Sequence, residues 1–333
     1  MRLTRALPIL AAIVLAVSAL AVPAAAGSGH GRSRPHAHAA STYMTGIGDE
    51  QTQMFGSPLW RQLHMRIARY IAPYDAVAHR DTLARATAWI HAAQEQHVKV
   101  LVAFYYSKHH PTSLPSVASY KHMVQKFVKR FPYVRQYQSW NEANRKSVPH
   151  RFSSPSPSAA AAYYQALLRV CPQCAVIGLD VLDEAKTART LNYIAEFKRA
   201  VNSLHTVMPR IWGLHNYSDV NRYQSWRTKE LSRALGGQIW LTETGGIVQF
   251  GGAFPNRSGS GLIRAAKVIH FTFGLASSQH QITRLYLYDW TGGANSERFD
   301  AGLTDRHNRP RAGYVVVCKH FNAPRCNVKV ARH

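Results

Sequence analysis

Of the 17 acidic residues in this 333-residue chain, two stand where one reaction could use them together. Glu142 follows the apolar-aromatic run QYQSWN, and Glu243 follows QIWLT, so each closes a strand-like segment at its carboxyl end. The other acids are placed less favourably. Glu95, Glu184, Glu196 and Glu230 fall within or at the start of helical stretches, where a solvated face is the default, and Asp49, Glu50, Asp75, Asp219, Glu297 and Asp300 lie in loops. Asp180 and Asp289 also end strand-like runs and are weaker competitors. Two carboxyl groups held about 5–5.5 Å apart can break a glycosidic bond with retention of configuration. The protonated one releases the leaving oxygen and the ionised one attacks the anomeric carbon.

Such a pair needs a scaffold that brings strand ends together. Eight strand-like runs, at 43–48, 65–71, 98–105, 134–140, 175–179, 210–214, 238–241 and 284–288, alternate with helical stretches, most clearly 81–96, 116–130, 156–170, 185–203, 260–276 and 309–321. Strand–helix alternation sustained eight times in one domain predicts an α/β fold of the (β/α)8 TIM-barrel kind, because open doubly wound sheets usually have fewer strands. In such barrels the chemistry sits at the carboxyl ends of the strands. The fourth and seventh strands face each other across the mouth, so Glu142 and Glu243 are expected to converge on one sugar ring.

The segments Trp140-Asn141-Glu142-Ala143-Asn144 and Trp240-Leu241-Thr242-Glu243-Thr244-Gly245-Gly246 resemble the two signature segments of glycoside hydrolase clan A. The likeness extends to Arg69 in the second strand, His215-Asn216-Tyr217 after the sixth and Trp290 after the eighth, and so spans nearly the whole barrel. Within the clan the chain is most similar to the cellulase-like and xylosidase/iduronidase-like families. The resemblance implies a retaining β-glycosidase in which Glu142 is the acid/base and Glu243 the nucleophile. It further implies that Asn141 bonds the sugar 2-hydroxyl, Arg69 and Tyr217 hold Glu243 ionised and oriented, His215 lines the pocket and Trp290 offers the sugar an apolar face. No metal or organic cofactor is called for. One departure stands out: where the clan often has a histidine after the third strand, this chain has Phe104-Tyr105-Tyr106-Ser107, making Tyr106 or Tyr105 the candidate sugar contact there. Trp140 and Trp240 fit barrel packing as well as substrate contact.

The ends and the charge bear on where this chemistry would occur. Arg2 and Arg5, an apolar run from Leu7 to Val22 and then Ala24-Ala25-Ala26 have the order of a secretory signal peptide, expected over 1–26. A flexible leader rich in Gly, Ser, His and Arg follows at 27–41, and the barrel domain spans 42–333. The four cysteines pair naturally in an exported protein as Cys171 with Cys174 and Cys318 with Cys326. The net charge is +24, of which Arg2 and Arg5 account for two, leaving +22 on the mature chain. That excess favours acidic partners, such as anionic cell-wall polymers or acidic polysaccharides, and serves equally as a solubilising surface. No nucleic-acid-binding module is recognisable. The expected protein is a secreted monomer, free of the membrane once its leader is removed. The competing reading is a non-catalytic barrel that binds anionic glycan through its basic surface.

Overall fold

The computed structural model describes residues 43–145, 154–256, 259–294 and 297–331. The expected signal peptide and leader lie outside the described residues. Eight parallel strands close into a barrel: β1 (Met44–Gly48), β2 (Ile67–Pro73), β3 (Lys99–Tyr105), β4 (Gln136–Gln138), β5 (Ala175–Leu182), β6 (Ile211–His215), β7 (Gln238–Thr244) and, as the eighth member, β9 (Ile282–Tyr288), which pairs back onto β1. A two-residue strand β8 (Gln249–Phe250) pairs antiparallel with β10 (Phe299–Asp300), forming a small ribbon outside the barrel sheet.

The barrel strands are near-continuous apolar runs because both of their faces are covered. Outward-facing residues such as Ala68, Tyr70, Val100, Val102, Phe104 and Tyr137 join the large core shared with the helices. Inside the barrel, Ile67, Leu101, Ile177, Trp240 and Tyr286 form a separate packed cluster. Beneath it the Arg284 guanidinium lies 3.7 Å from the Trp240 ring centre and donates to Gln136. The interior is a packed core, and whatever chemistry the barrel performs is confined to its open end.

Local signals set the helix boundaries. Ser116 caps α4 (Val117–Arg130) by accepting from the Ser119 amide, and Ser156 caps α5 (Pro157–Val170) in the same way, with proline in the first turn. Of the other expected helices, α3 (Arg80–Glu95), α6 (Thr187–Ser203), α9 (Ser260–Ser277) and α10 (Ala312–His320) stand within three residues of the ends read from the sequence. Additional short helices are α1 (Gln53–Gly56), α2 (Pro58–Gln62) and α7 (Tyr217–Val220), together with α8 (Trp226–Leu235), which ends at Gly236 with φ of 77°. The fourth strand is shorter than expected, because after Gln138 the chain turns in toward the mouth and Trp140 packs against Tyr163 and Tyr74. Both disulfides, Cys171–Cys174 and Cys318–Cys326, are present. Among the described residues no helix is long and apolar enough to cross a membrane.

Close backbone contact between the segment after β7 and α9 depends on Gly246, where a Cβ would come within 2.1 Å of the Ala265 carbonyl oxygen. Overpacking of this kind costs about 1–3 kcal/mol. Gly274, on α9, has nothing within 4 Å of the same position. Gly246→Ala is therefore expected to lower the melting temperature by several degrees, whereas Gly274→Ala leaves it unchanged or raises it through helix propensity. Calorimetry of the two variants side by side checks the contrast.

Candidate active site

The open end of the barrel holds a cleft of about 470 Å³, within the range of small-ligand sites. Glu142 and Glu243 both line it, with Asn141, Tyr105, Tyr106, Tyr217, Arg145 and Glu50 among their neighbours. One carboxylate oxygen of Glu142, one of Glu243 and a ring nitrogen of His215 all lie within 4.8 Å of one another. The positive charge beside the two carboxylates is supplied by guanidinium and imidazole groups of the chain itself.

Each carboxylate is held by cations. Arg69, fully buried in the barrel, donates from Nη1 to Glu243 Oε1 at 2.8 Å and from Nη2 to Asn141 Oδ1 at 2.5 Å. Gln138 Oε1 accepts from Nε at 3.4 Å and shares Nη2, at 3.3 Å, with Asn141. With its oxygen engaged by Arg69, Asn141 retains its amide nitrogen as the donor for a ligand hydroxyl. His215 Nδ1 stands 3.1 Å from Glu142 Oε1 and 3.6 Å from Glu243 Oε2, so the ring bridges the two. On its far side Nε2 lies 3.1 Å from Asp180 Oδ2. Arg145, two residues beyond Ala143 in the same turn, donates to Glu142 Oε2 at 2.5 Å.

Asp180 ties these parts together. It accepts from the backbone amide of Glu142 at 2.9 Å and from the hydroxyl of Thr242, and it pairs with His215. Strands β5, β6 and β7 and the turn after β4 thus meet on one buried carboxylate. Gly213 makes room for it, since a Cβ there would lie 2.1 Å from Asp180 Oδ1. Glu142 itself has φ of 44°, in the left-handed region that costs a non-glycine residue of order 1–3 kcal/mol. The hydrogen bond from its backbone amide to Asp180 and the ion pairs on its side chain hold that conformation.

The charges shift one another. Burial opposes the charge on His215, but Asp180, Glu243 and the hydrogen bonds of Asp180 and Glu142 outweigh it, and its pKa is pushed up to about 10. Burial likewise opposes ionisation of Glu142, yet the His215 hydrogen bond and the Arg145 charge prevail and hold its pKa down at about 2. In this state Glu142 is a carboxylate. Burial, aided by the charges of Asp49 and Glu243, pushes Glu50 up to about 7 while Tyr288 donates to it at 3.0 Å.

The other residues singled out from the sequence are placed as follows. Tyr106 lines the cleft beside Tyr105, their ring centres 4.6 Å apart. Tyr217 also lines it, edge-on to His215 and to Phe299, but its hydroxyl bonds nothing among the described residues, and Glu243 is oriented by Arg69. Trp290 is a correction. It is fully buried between Trp60 and Tyr314 with its indole nitrogen bonded to Asn308, so it presents no face to a sugar and serves the core. The apolar wall of the cleft comes instead from Phe250, Phe254 and Phe299, on and beside the β8–β10 ribbon. Arg145 and Glu50 are the participants that sequence reading did not bring forward, and Asp180, read there as a weaker strand-end competitor, belongs to the site as the buried partner of His215. Proximity to Glu142 could have raised Arg145.

Comparison with known proteins places this geometry. No curated protein sequence matches the chain. Among solved structures, GH10 from Paenibacillus barcinonensis superposes with a TM-score of 0.60 at 12% identity, covering 88% of this chain and 97% of that one. Xylanase 10B from Thermotoga maritima gives 0.60 at 14% identity, over 84% and 95%. A β-glucuronidase from Ruminococcus gnavus, in complex with D-glucuronic acid, gives 0.55 at 13% identity, over 84% of this chain and 49% of that one. At such identities the likeness is one of fold. The family described as glycosyl hydrolase catalytic core matches residues 91–298, a span that contains Glu142, Asp180, His215 and Glu243. By that match over more than half its length, the chain belongs to the glycosyl hydrolase catalytic core family, and it is an O-glycosyl hydrolase built on a (β/α)8 barrel.

Proposed function

We propose that this chain is a secreted retaining β-glycosidase acting on an extracellular polysaccharide or glycoconjugate, with Glu142 as acid/base and Glu243 as nucleophile. The observation that carries the reading is the approach of the two carboxylates: oxygens within 4.8 Å fit the separation of about 5–5.5 Å used by retaining enzymes better than the wider spacing, about 6.5–9.5 Å, of inverting ones. In the first step Glu142 gives its proton to the glycosidic oxygen while Glu243 bonds the anomeric carbon. In the second, Glu142 as carboxylate takes a proton from water, which displaces Glu243. Arg69 aims the attacking carboxylate, and the Asn141 amide meets the 2-hydroxyl, where a hydrogen bond strengthens as the oxocarbenium-like transition state develops. The xylanase and the β-glucuronidase that share this fold support a β-linked glycan. The leader-like N-terminus and the two disulfides support export, and the +22 charge supports an acidic polymer such as an anionic wall glycan. The reading needs neither metal nor organic cofactor, and a monomer suffices for it.

Reducing-end release from a panel of neutral and acidic β-glycans tests this directly. The parent is expected to release sugar from at least one, Glu243→Gln to lose about 10³-fold or more, and Glu142→Gln to lose most on substrates with poor leaving groups. Silence across the panel together with salt-sensitive binding to an acidic polymer would point instead to a binding barrel.

The site also sets how stability responds to pH. Glu50 at about 7, His215 at about 10, and Asp183, buried just after β5 where it accepts from the Ser218 and Asp219 amides, at about 8 through burial, all bind protons more tightly folded than unfolded. Their contribution is full below their unfolded values and is lost as pH rises through the folded ones. Glu142, depressed to about 2, contributes above its unfolded value and loses that as pH falls. The melting temperature, measured in enough salt to screen the general positive charge, is thus expected to be highest near pH 5 and to decline toward pH 9. A flat or rising profile between those values would contradict the assignment of these buried protons.

A further inference from the structure

Glu142 cannot serve as an acid while it is held as described. His215 Nδ1 is 3.1 Å from Oε1 and Arg145 Nη1 is 2.5 Å from Oε2, so each carboxylate oxygen faces a cation. A carboxyl clasped in this way releases its proton, and the first half of a retaining reaction requires that proton. One cation must withdraw. The groups facing Glu142 are Tyr105 from β3, Asp180 from β5, His215 and Tyr217 at the end of β6, Glu243 from β7, and Arg145. His215 is fully buried and fixed from behind by Asp180. Arg145 alone in this set is substantially open to solvent, with 29% of its side chain exposed at the cleft wall.

What draws a guanidinium off a carboxylate is another anion. Of the Lys and Arg residues lining the cleft, Arg222 lies over the Phe254 ring, 5.4 Å from its centre, and the other two stand together. Lys108 and Arg145 follow the neighbouring strands β3 and β4, and the Lys108 ammonium stands 5.0 Å over the Tyr106 ring. Glu50 and Tyr288 line the cleft from the β1–β9 side. An anionic sugar is attracted toward the first side, and Glu50 and Tyr288 offer it no cation on the second. Glu142, on the first side, is also where the leaving group must lie.

We propose that Arg145 is the specificity residue for a carboxylate on the leaving-group sugar, so that a uronic acid takes the guanidinium away from Glu142 and frees it to act as the acid. This rests on the glycosidase reading above. The freed carboxylate gains a proton from solvent and passes it to the glycosidic oxygen as that oxygen's bond to the anomeric carbon breaks and the bond from Glu243 forms. Arg145 acts through Glu142 and through the substrate's charge, as a positioning residue rather than one bonded to the reacting atoms. Its planar fork suits a carboxylate, for which lysine is an incomplete substitute.

The test compares parent, Arg145→Gln and Arg145→Lys on a β-linked oligouronide and on its carboxyl-reduced counterpart. On the oligouronide, Arg145→Gln is expected to lose at least about tenfold in kcat/KM, mainly through KM, with partial recovery in Arg145→Lys. On the reduced substrate the same Gln variant is expected to move the basic limb of the kcat/KM profile up by about one pH unit or more, since Glu142 has lost a cation. Equal losses on both substrates with an unmoved pH profile would overturn the proposal. Calorimetric binding of the oligouronide separates its fate from that of the glycosidase reading. Affinity that weakens at least about tenfold in Arg145→Gln supports the carboxylate site even if no glycan is cleaved, and equal affinity for parent and variant overturns it.

Discussion

Two carboxylates with oxygens inside 4.8 Å of each other repel strongly in a buried cleft, and most of what is distinctive in this barrel serves to hold them there. The solution is alternation of charge. Arg69 lies against Glu243, His215 between Glu243 and Glu142, and Arg145 on the outer side of Glu142. Asp180 supplies the third negative charge behind His215, so that three anions face three cations. Buried ions are tolerated when paired and hydrogen-bonded, and leaving any one of them without its partner is costly. The network is therefore expected to behave as a unit, in which removing one charge disturbs groups that it does not touch.

That unit depends on the closed sheet. Arg69 comes from β2, Asp180 from β5, His215 from β6 and Glu243 from β7, and parallel strands ending at one rim place all four within reach of one another. The irregularities of the barrel fall where the site needs them. Register shifts interrupt the β5–β6, β6–β7 and β7–β9 ladders close to these residues, and Glu142 adopts a left-handed backbone conformation to deliver its side chain from the turn after a three-residue strand. Such departures persist because the surrounding contacts over-determine them. At Glu142 those contacts are the hydrogen bond from its backbone amide to Asp180 and the two ion pairs.

The alternation of strands and helices was legible because period and punctuation are local properties, and Ser116 and Ser156 mark helix starts that the structure uses. The strand-end positions of Glu142 and Glu243 were legible for the same reason. What stayed hidden depends on tertiary contacts. Trp290 sits after the last barrel strand, where a sugar platform would be, yet its direction is set by Trp60 and Tyr314 arriving from distant segments. Asp180 looked like a lesser acid until the ends of three other elements converged on it. The β8–β10 ribbon consists of two-residue strands, too short to show any periodicity.

The separation of the two carboxylates makes a stereochemical commitment, and the anomer formed first reads it out. Hydrolysis of a β-linked substrate, chosen as the one the parent enzyme cleaves fastest, can be followed by NMR from the earliest turnovers, before mutarotation. Attack by Glu243 and then by water inverts the anomeric carbon twice, so the β-anomer must appear first. The α-anomer appearing first would mean that water attacks directly, and that the approach of Glu142 and Glu243 is not the catalytic arrangement.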